Sequence, residues 1–296
     1  MTIKQCEEWV AANRDTFFDM VRIYLGVGLI VKGVYFLMHQ DLLNQMAAAA
    51  GNSLISSAAP FVPYVHLVGG LLLAAGVVTR LAAAAQVPIL CGAVFLIHLP
   101  RMMGLEGRES VEFSALVLFL MVLIVLRGSG RLSVMGHRAG TQAGANTVQG
   151  WVAAHDDVFM DAVRIYLGVG LFIKGLLFME NRDYLLKMMQ DSGNLVLAPI
   201  ILVHYVIAAH LAGGILLALG LITRLWAAVQ LPALVGAVVF VSLPKYLQLE
   251  QRQDLEFSTL VLFLLVLVCA HGSGRLSIDH WLHKSAQAQM EPRHAA

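Results

Sequence analysis

Charge is scarce in this chain. Asp, Glu, Lys and Arg make up 13% of its 296 residues, about half of the roughly 25% usual in soluble domains. Apolar residues reach 58% and the mean hydropathy is +0.74, which excludes a disordered chain, a fibrous protein and an ordinary cytosolic enzyme. A basic footprint is missing as well: 20 Lys and Arg stand against 19 Asp and Glu, so no nucleic acid partner is expected. Cysteine is limited to Cys6, Cys91 and Cys269; three residues without a C-x-x-C support neither a disulfide framework nor a dithiol relay. No haem, flavin or iron–sulfur motif is present, and no dense ligand spacing predicts a metal. Gly26 and Gly28 lack the third glycine of a dinucleotide loop, Val31 standing there instead. The opening residues carry Lys4, Glu7, Glu8, Arg14 and Asp15 with no small-residue cleavage site, so the first apolar run is expected to stay in the mature protein.

What is present is a repeat. VRIYLGVGL occurs at Val21 to Leu29 and again at Val163 to Leu171, an offset of 142. Beyond a loop with two extra residues the offset is 144, and it holds for Thr79-Arg80 and Thr223-Arg224, Gln86-x-Pro88 and Gln230-x-Pro232, Glu112-Phe-Ser and Glu256-Phe-Ser, and GSGRLS at Gly128 and Gly272. Each copy holds four apolar runs: Phe17 to Met38, Phe61 to Val78, Leu81 to Leu99 and Val111 to Leu126, with counterparts at Val158 to Met179, Ile200 to Ile222, Leu225 to Leu243 and Leu255 to Ala270. Runs of roughly 17–25 residues at about 1.5 Å rise suffice to cross the hydrocarbon. The fold class predicted is all-α integral membrane, with two parallel four-helix repeats and eight transmembrane helices. The boundaries expected are a first unit over 1–140, a linker over 141–150, a second unit over 151–279 and a cytoplasmic tail over 280–296.

Charge orients the spans. With the N-terminus inside, twelve Lys and Arg fall in inner segments and helix ends and six in outer loops, which predicts both termini in the cytoplasm of a cell inner membrane. Stretches around Trp9 and Trp151 read as interfacial helices leading into the first span of each unit. Asp19 and Arg22, like Asp161 and Arg164, are three apart on one helix face and can pair. Gly70 and Ala74, with Gly214 and Ala218, form small-x-x-x-small pairs suited to close helix packing. In GSGRLS the glycine is expected to end the helix and Arg131 or Arg275 to meet headgroups.

Charged residues inside spans each cost about 2.5–3.5 kcal/mol at a helix centre, so they are kept where they do something. Lys32 lies about seven residues from the outer end of the first span, on the order of 10 Å deep. His66 enters the second span from outside, His98 closes the third, and Glu112 opens the fourth. Four helices thus deliver Lys32, His66, His98 and Glu112 to one level. The second unit supplies Lys174, His210 and Glu256, with Ser242 at the position of His98 and His204 and Tyr205 nearby. Two readings follow: a latch joining the first and fourth spans, or a polar pocket open to the outer face. A metal site of His66, His98 and Glu112 is disfavoured because the second unit lacks the second His.

These residues resemble the DoxX family of four-helix membrane proteins. The likeness rests on the helix from Arg22 to Lys32, GGLLLAAGVVTRLAA at Gly69 to Ala83, His98-Leu-Pro100, Glu112-Phe and GSGRLS, repeated in GGILLALGLITRLWA, Glu256-Phe and GSGRLSID. It spans nearly both halves. The family includes membrane subunits associated with quinone-linked sulfur oxidation and proteins joined to redox or oxidative-stress complexes. The resemblance therefore implies a quinone-interacting or membrane-anchoring subunit of a redox complex, with the bilayer and a protein of that complex as partners and quinone as the ligand. Any enzymatic role would be as a subunit of a quinone-linked oxidoreductase. The alternatives are a non-catalytic scaffold or assembly factor and a small-molecule transporter. One departure is visible: the acidic residue that the family often has three before the Gly-Gly pair is His66 or His210 here.

Overall fold

The structure, a computed structural model, describes residues 14–101, 105–134, 156–191, 199–247 and 252–290. The stretches around Trp9 and Trp151 and the 141–150 linker lie outside the described residues. No strand occurs among the described residues. Eight helical segments are long and apolar enough to cross a membrane: Thr16–Met38, Ser53–Ala75, Thr79–His98 and Arg108–Arg127, then Val158–Glu180, Pro199–Leu219, Thr223–Ser242 and Gln253–His271. They are taken below as the first to eighth spans. Four fall in a compact unit within Asn13–Asp156 and four in a second that begins at Asp157.

Each unit has a dry seam. Leu73, Met121 and Ile124 are fully buried in one, and Leu217, Leu264 and Leu265 in the other. Large apolar residues also point outward, among them Leu71, Leu81, Ile201 and Leu225. That reversal of the soluble pattern is stable where hydrocarbon replaces water around the protein.

Without a hydrophobic force between helices in lipid, close packing has to come from small residues. The first span lies against the second along Gly26, Gly33 and Gly70. A Cβ added at Gly26 would sit 2.6 Å from the backbone N of Ala74, and one at Gly70 would sit 2.7 Å from the carbonyl oxygen of Gly26. Gly168 meets Ala218 in the same way in the second unit, at 2.4 Å. Gly28, by contrast, faces open space. The small-x-x-x-small expectation on the second and sixth spans therefore describes a backbone-to-backbone seam.

The second and third spans join through a tight turn. Gly76 takes φ +72°, and Val77 N–H donates to Leu72 O at 2.9 Å while Gly76 N–H donates to Leu73 O at 3.1 Å, a left-handed helix cap that satisfies orphan carbonyls. Two residues on, Val78 and its counterpart Ile222 adopt φ +45° and +50°, a strained conformation for β-branched residues. Pro88 and Pro232 then sit inside the third and seventh spans, and both helices widen to π geometry beyond them, over Gly92–His98 and Ala237–Ser242. The sixth span has a π segment of its own at Ala209–Gly213, where the second span stays α-helical.

Two stretches between the apolar runs are helical. Residues 40–58 contain the helices Gln40–Ala48 and Ser53–Ala58, the latter started by Asn52, whose side chain accepts from Leu54 N–H at 2.9 Å. Arg182–Asp191 is the corresponding helix in the second unit. The short polar helix Gln40–Ala48, with only Leu43 and Ala47 buried, escapes a search for long apolar runs, and Ser53–Ala58 opens the second span. The fourth span likewise begins earlier, its helix running Leu105–Arg127.

Candidate functional site

Two polar constellations occur in each unit, at opposite ends of the spans. The first is built on Asp19 and Arg22, both wholly buried and paired at 3.1 Å. Arg22 donates to the carbonyls of Leu73 and Ala74 at the end of the second span, and to Leu132 O at 2.7 Å. Asp19 accepts from the backbone N–H groups of Gly130 and Leu132 at 3.2 and 2.7 Å. The cation thus adds its donors to carbonyls at a helix C-terminus, sharing Leu73 O with Gly76 N–H, and the anion covers amides of GSGRLS. A Cβ at Gly130 would fall 2.5 Å from an Asp19 carboxylate oxygen, so glycine is needed there for the backbone to reach the carboxylate.

The second unit repeats this knot. Asp161 pairs with Arg164 at 3.0 Å, Arg164 reaches Leu217, Ala218 and Leu276 carbonyls at 2.7, 2.7 and 2.8 Å, and Leu276 N–H donates to Asp161 at 2.8 Å. The pairing expected within each first span is present, and its further partners make it a three-element clasp. Gly128 and Gly272 end their helices at φ +87° and +81° as expected, while Arg131 and Arg275 are exposed.

The second constellation gathers the residues singled out inside the spans. Lys32 Nζ lies 5.6 Å from the ring centre of Phe36 and 6.0 Å from those of Tyr35 and Phe113. The Phe36 ring is 6.1 Å from His66. Phe113 follows Glu112 on the fourth span, so Lys32, His66 and the turn bearing Glu112 converge. Lys174 Nζ repeats the arrangement, 5.8 Å from Phe178 and 5.9 Å from Phe257, next to Glu256, with Phe178 edge-on to His210 at 5.4 Å. Lys32, Glu112, Lys174 and Glu256 are all partly buried. An ammonium among aromatic faces is stabilised by the ring quadrupoles, by about 2 kcal/mol or more when desolvated. His98 ends the π segment of the third span and is half-buried. Its counterpart Ser242 is buried, 3.3 Å from Ser258 Oγ. Among the described residues no three His, Cys, Asp or Glu side chains gather as a metal would require.

One participant had no role read from sequence, although Gln-x-Pro repeats in both copies. Gln86, wholly buried, donates from Nε2 to Val65 O at 2.8 Å and turns Oε1 to His66 Nδ1 at 2.8 Å. A carboxamide oxygen only accepts, so Nδ1 carries the hydrogen and Nε2 of the neutral ring is left as an acceptor. In the second unit His210 Nδ1 donates to Val206 O at 2.8 Å instead. Gln230 Nε2 still donates to Ala209 O, and its Oε1 is buried without a hydrogen-bond partner. Both imidazoles have the same tautomer, but only one is tied to its glutamine. Tyr205 O–H donates to Val229 O, and His204 is exposed and bonded within its own helix at 2.7 Å.

Two copies of a four-helix membrane unit, each clasped at one end and carrying a lysine and a histidine among aromatic rings at the other, define the class of this protein. The family model DoxX matches residues 17–99 and 159–243, and the chain belongs to the DoxX family as a tandem of two copies. No curated protein and no solved structure matches it.

Proposed function

We propose that this DoxX protein is a quinone-interacting, membrane-anchoring subunit of a redox complex, in the cell inner membrane with both termini in the cytoplasm. The observation that carries the reading is the repeated group of Lys32 and Lys174 among aromatic rings beside His66 and His210, whose Nε2 atoms are acceptors. A quinone head group is flat and presents carbonyl oxygens when oxidised and hydroxyl hydrogens when reduced. Lys32 can donate to the first, His66 Nε2 can accept from the second, and Phe36 and Phe113 offer faces to the ring. Glu112, His98 and Glu256 complete the proposed ligand set. The units proposed run over 1–140 and 151–279, joined by a linker and followed by a tail from residue 280. Electron transfer would need a protein partner, since the chain has no haem, flavin or iron–sulfur motif.

His98 against Ser242 makes the first unit the better binder on this reading, because it adds an imidazole to the group. His98→Ser is expected to weaken binding of a quinol analogue measured by calorimetry, and Ser242→Ala to change it little. The reverse ranking, or no binding at all, would remove the proposal. The scaffold reading draws support from one observation, the two buried clasps, which tie the first and second spans of each unit to the segment after its fourth. Affinity purification from native membranes separates the readings: a redox complex brings down cofactor-bearing chains, and a scaffold brings down a partner without retained quinone.

A further inference from the structure

The first unit has an apolar groove of about 330 Å³ between its second and third spans, walled by Val65, Val68 and Leu72 on one side and Ala82 and Ala85 on the other. Its rims face outward, Val68 and Leu81 being 58% and 68% exposed. Its floor includes Gly69, where an added Cβ would collide with Gln86 Nε2.

The second unit builds the same turn and spans with Trp226 and Val229 at the positions of Ala82 and Ala85. Trp226 Cε3 lies 3.3 Å from where a Cβ on Gly213, the counterpart of Gly69, would be. An indole therefore rests over the floor in one unit, and the other unit keeps alanine there. A slot that one indole fills takes a side chain or a hydrocarbon chain, not the body of a helix, which is about 10–12 Å across with its side chains. Hydrocarbon of single-chain thickness fits. The polar group at His66 lies toward Phe36 of the first span, and Gln86 is wholly buried beneath Gly69.

We infer that this groove is a binding site for one acyl chain of a membrane phospholipid, present in the first unit and closed by Trp226 in the second. Within the spans, hydrocarbon from the bilayer is what meets such a surface, and filling the slot recovers the dispersion contacts that a void forfeits. The site stands whether or not the protein binds quinone.

The test is native mass spectrometry of the full chain released from mild detergent, with the retained lipid identified after extraction. The wild type is expected to retain one phospholipid per chain, Ala82→Trp none and Trp226→Ala two. Unchanged stoichiometry in Ala82→Trp, or a prenyl quinone as the molecule lost, would overturn the inference. Should Ala82→Trp fail to fold, Trp226→Ala decides alone: a second retained phospholipid upholds the site, and a single one refutes it.

Discussion

Replacing Asp19 by Asn tests the clasp most sharply, because it keeps the shape and removes the charge. Asp19 accepts three hydrogen bonds, from Arg22 Nε at 3.1 Å and from the amides of Gly130 and Leu132 at 3.2 and 2.7 Å. Asn has one acceptor oxygen, so its NH₂ must face at least one of these donors. Breaking a buried pair by removing one partner costs about 3–5 kcal/mol. Arg22 keeps its carbonyl partners at Leu73, Ala74 and Leu132, which favours the lower end, near 3 kcal/mol. The double change Asp19→Leu with Arg22→Met leaves no buried charge and should cost less than the two single changes added together. Asp161→Asn should lose a similar amount, adding to the first because the clasps belong to separate units. Reversible denaturant unfolding in detergent gives these differences. A loss under about 1 kcal/mol, the level of an exposed ion pair, would refute the reasoning.

Other expectations are read in the same assay or by simple reporters. Gly26→Ala should destabilise by about 1–3 kcal/mol through overpacking on Ala74, whereas Gly28→Ala, which meets nothing within 4 Å, should be neutral or slightly stabilising; equal effects would deny the seam. Gln86→Leu should cost about 1–3 kcal/mol, the desolvation of an unpaired group at His66, and more than Gln230→Leu, which removes an oxygen already without a partner. Lys32→Met and Glu112→Gln should be less than additive in a double-mutant cycle, with additivity showing that the two do not interact. Reporters fused after Ala139 or at Ala296 should read as cytoplasmic and one in the part of 41–60 ahead of Ser53 as external; an external signal from the 141–150 linker would invert the orientation.

The spans were legible because a hydrocarbon-crossing helix announces itself locally, by length and by lack of charge, and the duplication printed each signal twice. Asp19-x-x-Arg22 was legible as a pair for the same reason, since three residues place both groups on one helix face. Its other half was not. The clasp closes on backbone amides and carbonyls more than 50 and 110 residues away, and those groups carry no mark in the sequence beyond the glycines that let the chain come close. Depth along a helix could be counted, so Lys32 and His66 were assigned to one level; rotation could not, and it took Phe36 and Phe113 to show that they share a face. Gln86 has no role legible in the sequence because a lone amide in an apolar helix costs far less than a charge. Its repetition beside a proline was the available signal.

The central claim is that the lysine and histidine groups hold a quinone head group. Calorimetric titration of the full chain in lipid nanodiscs with a short-chain quinol analogue tests it most directly, comparing the wild type with Lys32→Met, Lys174→Met and the double variant. Saturable binding to the wild type, reduced by each single change and lost in the double variant while its unfolding profile is kept, is the predicted result. Binding that survives the double variant unchanged, or no binding to the wild type, would contradict the claim.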